Sequence, residues 1–283
     1  TPTERRATRG EDATAPGSTI PGGTIPGSAV GTGRATTRSI GSRAVAGWLR
    51  RLHERLPETD TTIHVDASSS TLLHLLATHQ ADIAFVREIE NFPLRMPEGV
   101  ERRVLVEREP QFVAMPADHP AAGRPVVHLA DLADDRWMVA PAADDEGAAV
   151  RRAFAAIGLS PRLVQVGDTA TAAELVASGE AVRPCRPTSS PLQGTVIRPI
   201  HGDPLTARLS LISWPRTAVD GRIDAVFADL RDAYVEAARA SEAYHEWLLR
   251  HNSPLLRSEA RRPSAAPERE RPAPSRSGSE AAA

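Results

Sequence analysis

The sequence predicts an α/β fold, and three observations predict it. Short β-branched or apolar runs recur through residues 38–250, stretches with apolar residues three and four apart separate them, and Ser, Gly or Pro stands at most of the joins. With 283 residues, 41% of them hydrophobic, the chain is long enough for two packed units with ends to spare. Strand and helix alternating in this order imply right-handed crossovers and a mostly parallel sheet.

The first helix is expected over 43–56 (RAVAGWLRRLHERL), with Val45, Trp48, Leu49, Leu52 and Leu56 along one face and Pro57 ending it. Residues 61–65 (TTIHV) alternate and read as a strand. Ser68, Ser69 and Ser70 are N-cap candidates for a helix over 71–79 that buries Leu72, Leu73, Leu75 and Leu76. The apolar run 83–86 between Asp82 and Arg87 suits a buried parallel strand. Strands follow at 100–107 and 111–115, then a helical turn at 129–132 and a short strand at 137–140. Asp144, Asp145 and Glu146 open an Ala-rich helix, where carboxylates complement the helix dipole, and Gly158 is placed to end it. A strand at 163–166, a helix at 171–178, a strand at 208–213 and a closing helix from Gly221 to about Arg250 complete the order. In that last helix Ile223, Val226, Phe227, Leu230 and Tyr234 share a face.

The two ends look different. Residues 1–37 are rich in Gly, Pro, Thr and Ser, with STIPG repeated as GTIPG, and are expected to be a disordered lead. Residues 251–283 are expected to be a disordered tail, polar and Pro-broken from Ser253, with Leu255 and Leu256 as its apolar anchors.

Composition excludes several function classes. The 34 basic residues, all arginine, against 36 acidic ones give a net charge of −2, unlike a strong polyanion binder. No apolar run reaches the ~18 residues of a membrane helix. The opening at Thr1 is polar and lacks the apolar core of a secretory signal, so a cytoplasmic protein without a membrane partner is expected. One cysteine, Cys185, excludes an internal disulfide; it lies among arginines (RPCRP) but has no base to pair with, and an inert thiol is expected. His74 and His79 are five apart and His245-Glu246 lacks a second His at metal-binding spacing, so no metal is expected. Nucleophile elbow, phosphate loop and dinucleotide fingerprint are missing too; the phosphate loop needs a lysine, and the chain has none. Neither an enzyme nor a cofactor is expected.

Small-molecule binding is better supported. Ser42 precedes the first helix and Ser68 and Ser69 precede the second, so hydroxyls stand where helix N-termini offer free N–H groups to an anion. Arg87 leaves the carboxyl end of the buried strand, the end at which open parallel sheets bind ligands, and a guanidinium there can fork onto a carboxylate.

The ordered segments IHVDASSSTLLHLLATHQADIAFVR (63–87), VLVEREPQFVAMPADHPAAGRPVVHLADLAD (104–134), PRLVQVGDTATAAELVASGEAV (161–182) and GTVIRPI with LSLISWP (194–215) resemble the effector-binding domain of LysR-type transcriptional regulators. The resemblance implies two Rossmann-like α/β subdomains around a central cleft, similar to type 2 periplasmic binding proteins. Subdomain I would be 38–116 with 206–250, subdomain II 117–205, and the crossing strands near 111–115 and 208–214. It places Ser69 at the family's hydroxyl position, Arg87 at its cleft arginine and Thr169 at a polar position facing the cleft. Ser42 is carried over less directly, because 40–57 is shorter than the family pattern. The effector implied is a small molecule, with a small carboxylate favoured by the arginine and hydroxyls.

Two departures qualify the resemblance. Residues 1–37 hold no winged helix-turn-helix, so DNA contact is expected only through a helix-turn-helix absent from this chain. The chain would then be a regulator, its effector-sensing remnant, or a subunit acting as a homodimer or mixed dimer with an intact relative. The second departure is VRPCRP (182–187), which is expected to be unable to form a central ladder strand. A solute-binding protein serving a transporter is the alternative on the same architecture.

Overall fold

A computed structural model describes residues 34–38, 42–58, 62–66, 68–141, 145–215 and 221–257. Strand β1 (Arg34–Arg38) leads to helix α1 (Ser42–Arg55), β2 (Thr62–Asp66), α2 (Ser69–Ala77) and β3 (Ile83–Ile89). β1 lies between β2 and β3 and runs parallel to both. The expectation of a disordered lead is therefore corrected at 34–37: the polar run RATTR is an interior strand, its backbone groups shared with a neighbour on each side. Residues 1–33 lie outside the described residues.

The sheet is completed by β4 (Glu101–Pro110) and β10 (Thr206–Ser213), in the order β2-β1-β3-β10-β4. β10 is antiparallel to both β3 and β4, so the sheet is mixed, not mostly parallel as expected. The reason is topological, since β10 returns from a second sheet and enters from the far end.

That second sheet starts one residue after β4. Gln111 alone separates β4 from β5 (Phe112–Pro116), and β5 is flanked by β8 (Arg183–Cys185) and β9 (Thr195–Pro199), antiparallel to each. β5, counted with subdomain I above, thus pairs outside the first sheet. β6 (Arg136–Val139) and β7 (Arg162–Gln165) form a parallel pair that Trp137 links to Val182. Helix α3 (Glu146–Ala155) follows β6, and α4 (Thr169–Ala177) follows β7. The two crossings touch, the Gln111 N–H donating to the Leu205 carbonyl at 2.8 Å.

Residues 182–187 contribute a strand after all, but an outer one and not a central one. Val182 accepts from the Met138 N–H at 2.8 Å and donates to the Arg136 carbonyl at 2.9 Å, and Arg183–Cys185 pairs with β5. Pro184 is tolerated because β8 is the outer strand of its three-stranded ladder, where a missing N–H costs little.

The core of the first sheet is sealed by α1 and α5 (Ile223–Arg239). Ala44, Trp48 and Leu52 form the buried ridge of α1, and Val226, Leu230 and Tyr234 that of α5. Gly47 faces Ala233 across this contact, where a Cβ would just reach the Ala233 methyl at 3.4 Å. Arg55 brackets Asp229 across the same contact. On the other face Leu72, Leu73 and Leu76 of α2 pack on Ala84, Val86 and Ile212, with Leu75 only half-buried. The second sheet has a core of its own, in which Trp137 meets Phe154 edge-on, 5.4 Å between ring centroids.

The closing helix is two helices. Ser241 is extended (φ −105°, ψ 101°) and separates α5 from α6 (Glu242–Arg250). The tail expectation is corrected at its start, because 251–257 continue into α7 (Pro254–Arg257) and Leu255 is buried against the first core. Residues 258–283 lie outside the described residues.

Candidate functional site

Four helices, α1 to α4, each follow the carboxyl end of a strand that runs parallel to a neighbour. Their N-terminal N–H groups therefore gather at strand ends, the arrangement in which open α/β sheets hold anions. Ser68 is the N-cap of α2, its hydroxyl accepting from the Thr71 N–H at 3.2 Å.

Ser69 and Arg87 are brought together through backbone. The Ser69 hydroxyl, fully buried, donates to the Arg87 carbonyl at 2.8 Å and accepts from the Arg87 N–H at 3.1 Å. It thereby ties the start of α2 to β3 and fixes where the arginine emerges. Both expected residues are in one place, with Ser69 as the clamp and Arg87 as the reaching group. Ser42 begins α1 and Thr169 begins α4, and their side chains lie outside what is described.

The Arg87 side chain is only 3% exposed, so its charge is removed from water and must be answered locally. Glu146, at the start of α3, stands 4.0 Å away and is itself 16% exposed. Gln111, on the crossing, sets its side-chain amide against the same guanidinium, and with the amide turned so that its oxygen faces Arg87 it accepts from Nη1 at 3.1 Å. Nε has no hydrogen-bond partner among the described residues. One arginine from the first sheet thus meets a carboxylate from the start of α3 and an amide from the join.

Behind it lies a buried carboxyl. Glu109 is 1% exposed and accepts from the Tyr234 hydroxyl, which in turn lies 3.2 Å from that of Tyr244. Burial pushes Glu109 above the usual carboxylate range, against the opposing pull of Arg186, the Tyr234 hydrogen bond and Arg87. Burial also pushes the Cys185 thiol up to about 12, Arg183 opposing and Glu146 adding to the rise, so the thiolate is scarce at neutral pH.

Nothing local in the sequence announces Glu146 as a counter-charge, or Glu109. Gln111 carried a readable signal, a polar residue leading an apolar strand (QFVAM). Glu146 reads as a helix-start carboxylate alone, because its distance from Arg87 in sequence hides the contact. Among the described residues no group of three or more His, Cys, Asp or Glu side chains could hold a metal ion, and no helix is long and apolar enough to cross a membrane.

Comparison with known proteins gives a consistent picture. The family model described as LysR substrate binding domain matches residues 35–235. The small neutral protease regulatory protein of Streptomyces coelicolor A3(2) is 53% identical over 218 residues, 77% of this chain and 64% of that protein. Its counterpart in Streptomyces lividans is 52% identical over 218 residues, 77% of this chain and 61% of that one. Hence the chain spans less than two thirds of the length of these relatives, which are regulatory proteins and not transporter components. Among solved structures, the Corynebacterium glutamicum OxyR C206 mutant covers 76% of this chain and 67% of its own at 18% identity, TM-score 0.63. The Synechocystis PCC6803 CcmR regulatory domain in complex with 2-PG covers 70% and 96% at 16% identity, TM-score 0.57.

Proposed function

Since the chain belongs to the LysR substrate-binding-domain family, we propose that it senses a small carboxylate at the meeting point of Arg87, Ser69 and the starts of α3 and α4. The observation that carries this is the buried Arg87 guanidinium, faced by Glu146 from the start of α3 at 4.0 Å. A ligand carboxylate would replace Glu146 as the partner of Arg87 and accept N–H groups from helix starts. Exchanging one carboxylate for another leaves the arginine paired throughout. The contact between α3 and β3 would then be remade with each binding event, changing how the two sheets sit.

The wider role proposed is transcriptional regulation, of the kind named in the relatives that control a small neutral protease. The chain would act as a homodimer or in a mixed dimer with an intact relative, in the cytoplasm, with DNA contact supplied by a helix-turn-helix outside the sequence described. Catalysis is no part of this reading.

The test is thermal denaturation of the 283-residue chain against a panel of small mono- and dicarboxylates. Acids that stabilise the wild type should lose at least tenfold in affinity in Arg87→Ala. In Glu146→Gln they should bind as well or better, because the competing carboxylate is gone. An Arg87→Ala protein that responds to the same acids with unchanged affinity would refute the assignment.

A further inference from the structure

A cavity of about 380 Å³ lies at the join of the two sheets, and none of Ser69, Arg87, Gln111 or Glu146 lines it. Its floor is apolar, made by Ile89, Leu129, Ala153 and Leu205. Ile157 and Leu159 stand at its rim 47% and 37% exposed, among the few large hydrophobic side chains that the fold leaves in water. Its polar lining includes Arg152 from α3, and His128 with His201, whose rings lie 4.5 Å apart. Glu90 is the one carboxylate of the lining, and it is already engaged by the Thr206 hydroxyl and by Arg108 at 3.6 Å.

We infer that this groove is a second ligand site, for an amphipathic carboxylic acid whose aromatic or short aliphatic body lies on the Ile89–Leu205 floor and whose carboxylate meets Arg152 and the two imidazoles. The size suits a small molecule, an apolar lining with a few polar groups is what such sites present, and with Arg108 and Arg152 both beside Glu90 the arginines outnumber the one carboxylate. The groove also touches the crossing, because Leu205 accepts from the Gln111 N–H and Thr206 opens β10. An acid bound here would brace the strand on which the two sheets turn, and so couple to the Arg87 site without sharing an atom with it.

The test uses the 283-residue chain with 4-phenylbutyrate and its neutral primary amide as probes, followed by calorimetry and ligand-observed NMR. The acid should bind at least tenfold more tightly than the amide. Arg152→Glu and Ala156→Trp, both at exposed positions, should keep the wild-type melting profile and lose at least tenfold in affinity for the acid, whereas Arg87→Ala should retain it. Equal binding of acid and amide, unchanged binding by both groove variants, or no binding in the millimolar range would overturn the inference. Loss of binding in Arg87→Ala alone would also overturn it, while leaving the carboxylate site proposed above intact. A change of oligomeric state in Ala156→Trp without acid binding would make the groove a contact between copies and overturn it as well.

Discussion

Helices α2 and α4 begin in nearly the same way, one on each sheet, and the difference between them bears on ligand choice. Each has an extended N-cap (φ −105°, ψ 122° for Ser68; φ −91°, ψ 126° for Asp168) whose side chain accepts from the N–H three residues on, Thr71 or Thr171. Each cap is followed by a hydroxyl residue, Ser69 or Thr169. The first cap is neutral and buried with its neighbour, while the second is an exposed carboxylate. A charged cap neutralises the positive end of its own helix, whereas a neutral one leaves it available. For the carboxylate proposed above, this predicts a stronger pull from the α2 side, where Arg87 also emerges, and a weaker one from the start of α4.

The comparison can be broken most severely at Ser69. Ser69→Ala leaves the Arg87 N–H and carbonyl without that hydroxyl in a buried setting, and should cost about 2–4 kcal/mol by urea denaturation. A loss under ~0.5 kcal/mol would mean the clamp is dispensable.

The next effect is opposite in sign and confined to the first sheet's buried charges. With its carboxyl raised, Glu109 keeps its proton in the folded protein at pH values where the unfolded chain has released it. Stability should therefore fall as pH rises above the ordinary glutamate value, and level off above the folded one. Glu109→Gln should remove that slope, matching wild type near pH 4 and exceeding it by about 1–2 kcal/mol at pH 8. A thermal scan at both pH values measures this, and a variant less stable at pH 8 would show the ionised carboxylate to be welcome.

The smallest effect sharpens the contrast between the caps. Asp168 is held below the usual carboxylate range by its bonds to Thr171. Its contribution is then present above the unfolded aspartate value and lost as pH falls through the lower folded one. Asp168→Asn should cost little at pH 7 and flatten the acid limb slightly, while Ser68→Ala, at about 1 kcal/mol, should show no such acid dependence. Chemical denaturation at pH 3 and pH 7 would compare the pair.

Much of the fold was legible because periodicity and burial agree. The α1 ridge through Trp48 and Leu52, the leucines of α2 and the apolar run of β3 were each marked by spacing alone. What escaped was decided by neighbours distant in sequence. RATTR has no apolar face to announce β1, and it is a strand because β2 and β3 present edges on both sides. RPC carries a proline that would disqualify an interior strand but not an outer one. The break at Ser241 has neither Gly nor Pro to mark it. At the site, Arg87 and Ser69 were readable from strand-end and helix-start rules. Glu146 was not, since nothing local says that α3 points its first turn at β3.

The antiparallel insertion of β10 between β3 and β4 has a consequence for biosynthesis. Until residue 213 has left the ribosome, the strands that will flank it have nothing to bind along those sides, whereas β5 through β9 form an uninterrupted stretch that can condense earlier. The piece made first is thus finished last. A nascent chain stalled or cleaved just ahead of Thr206 would carry two unzipped ribbons, a ready template for wrong pairing with its own kind.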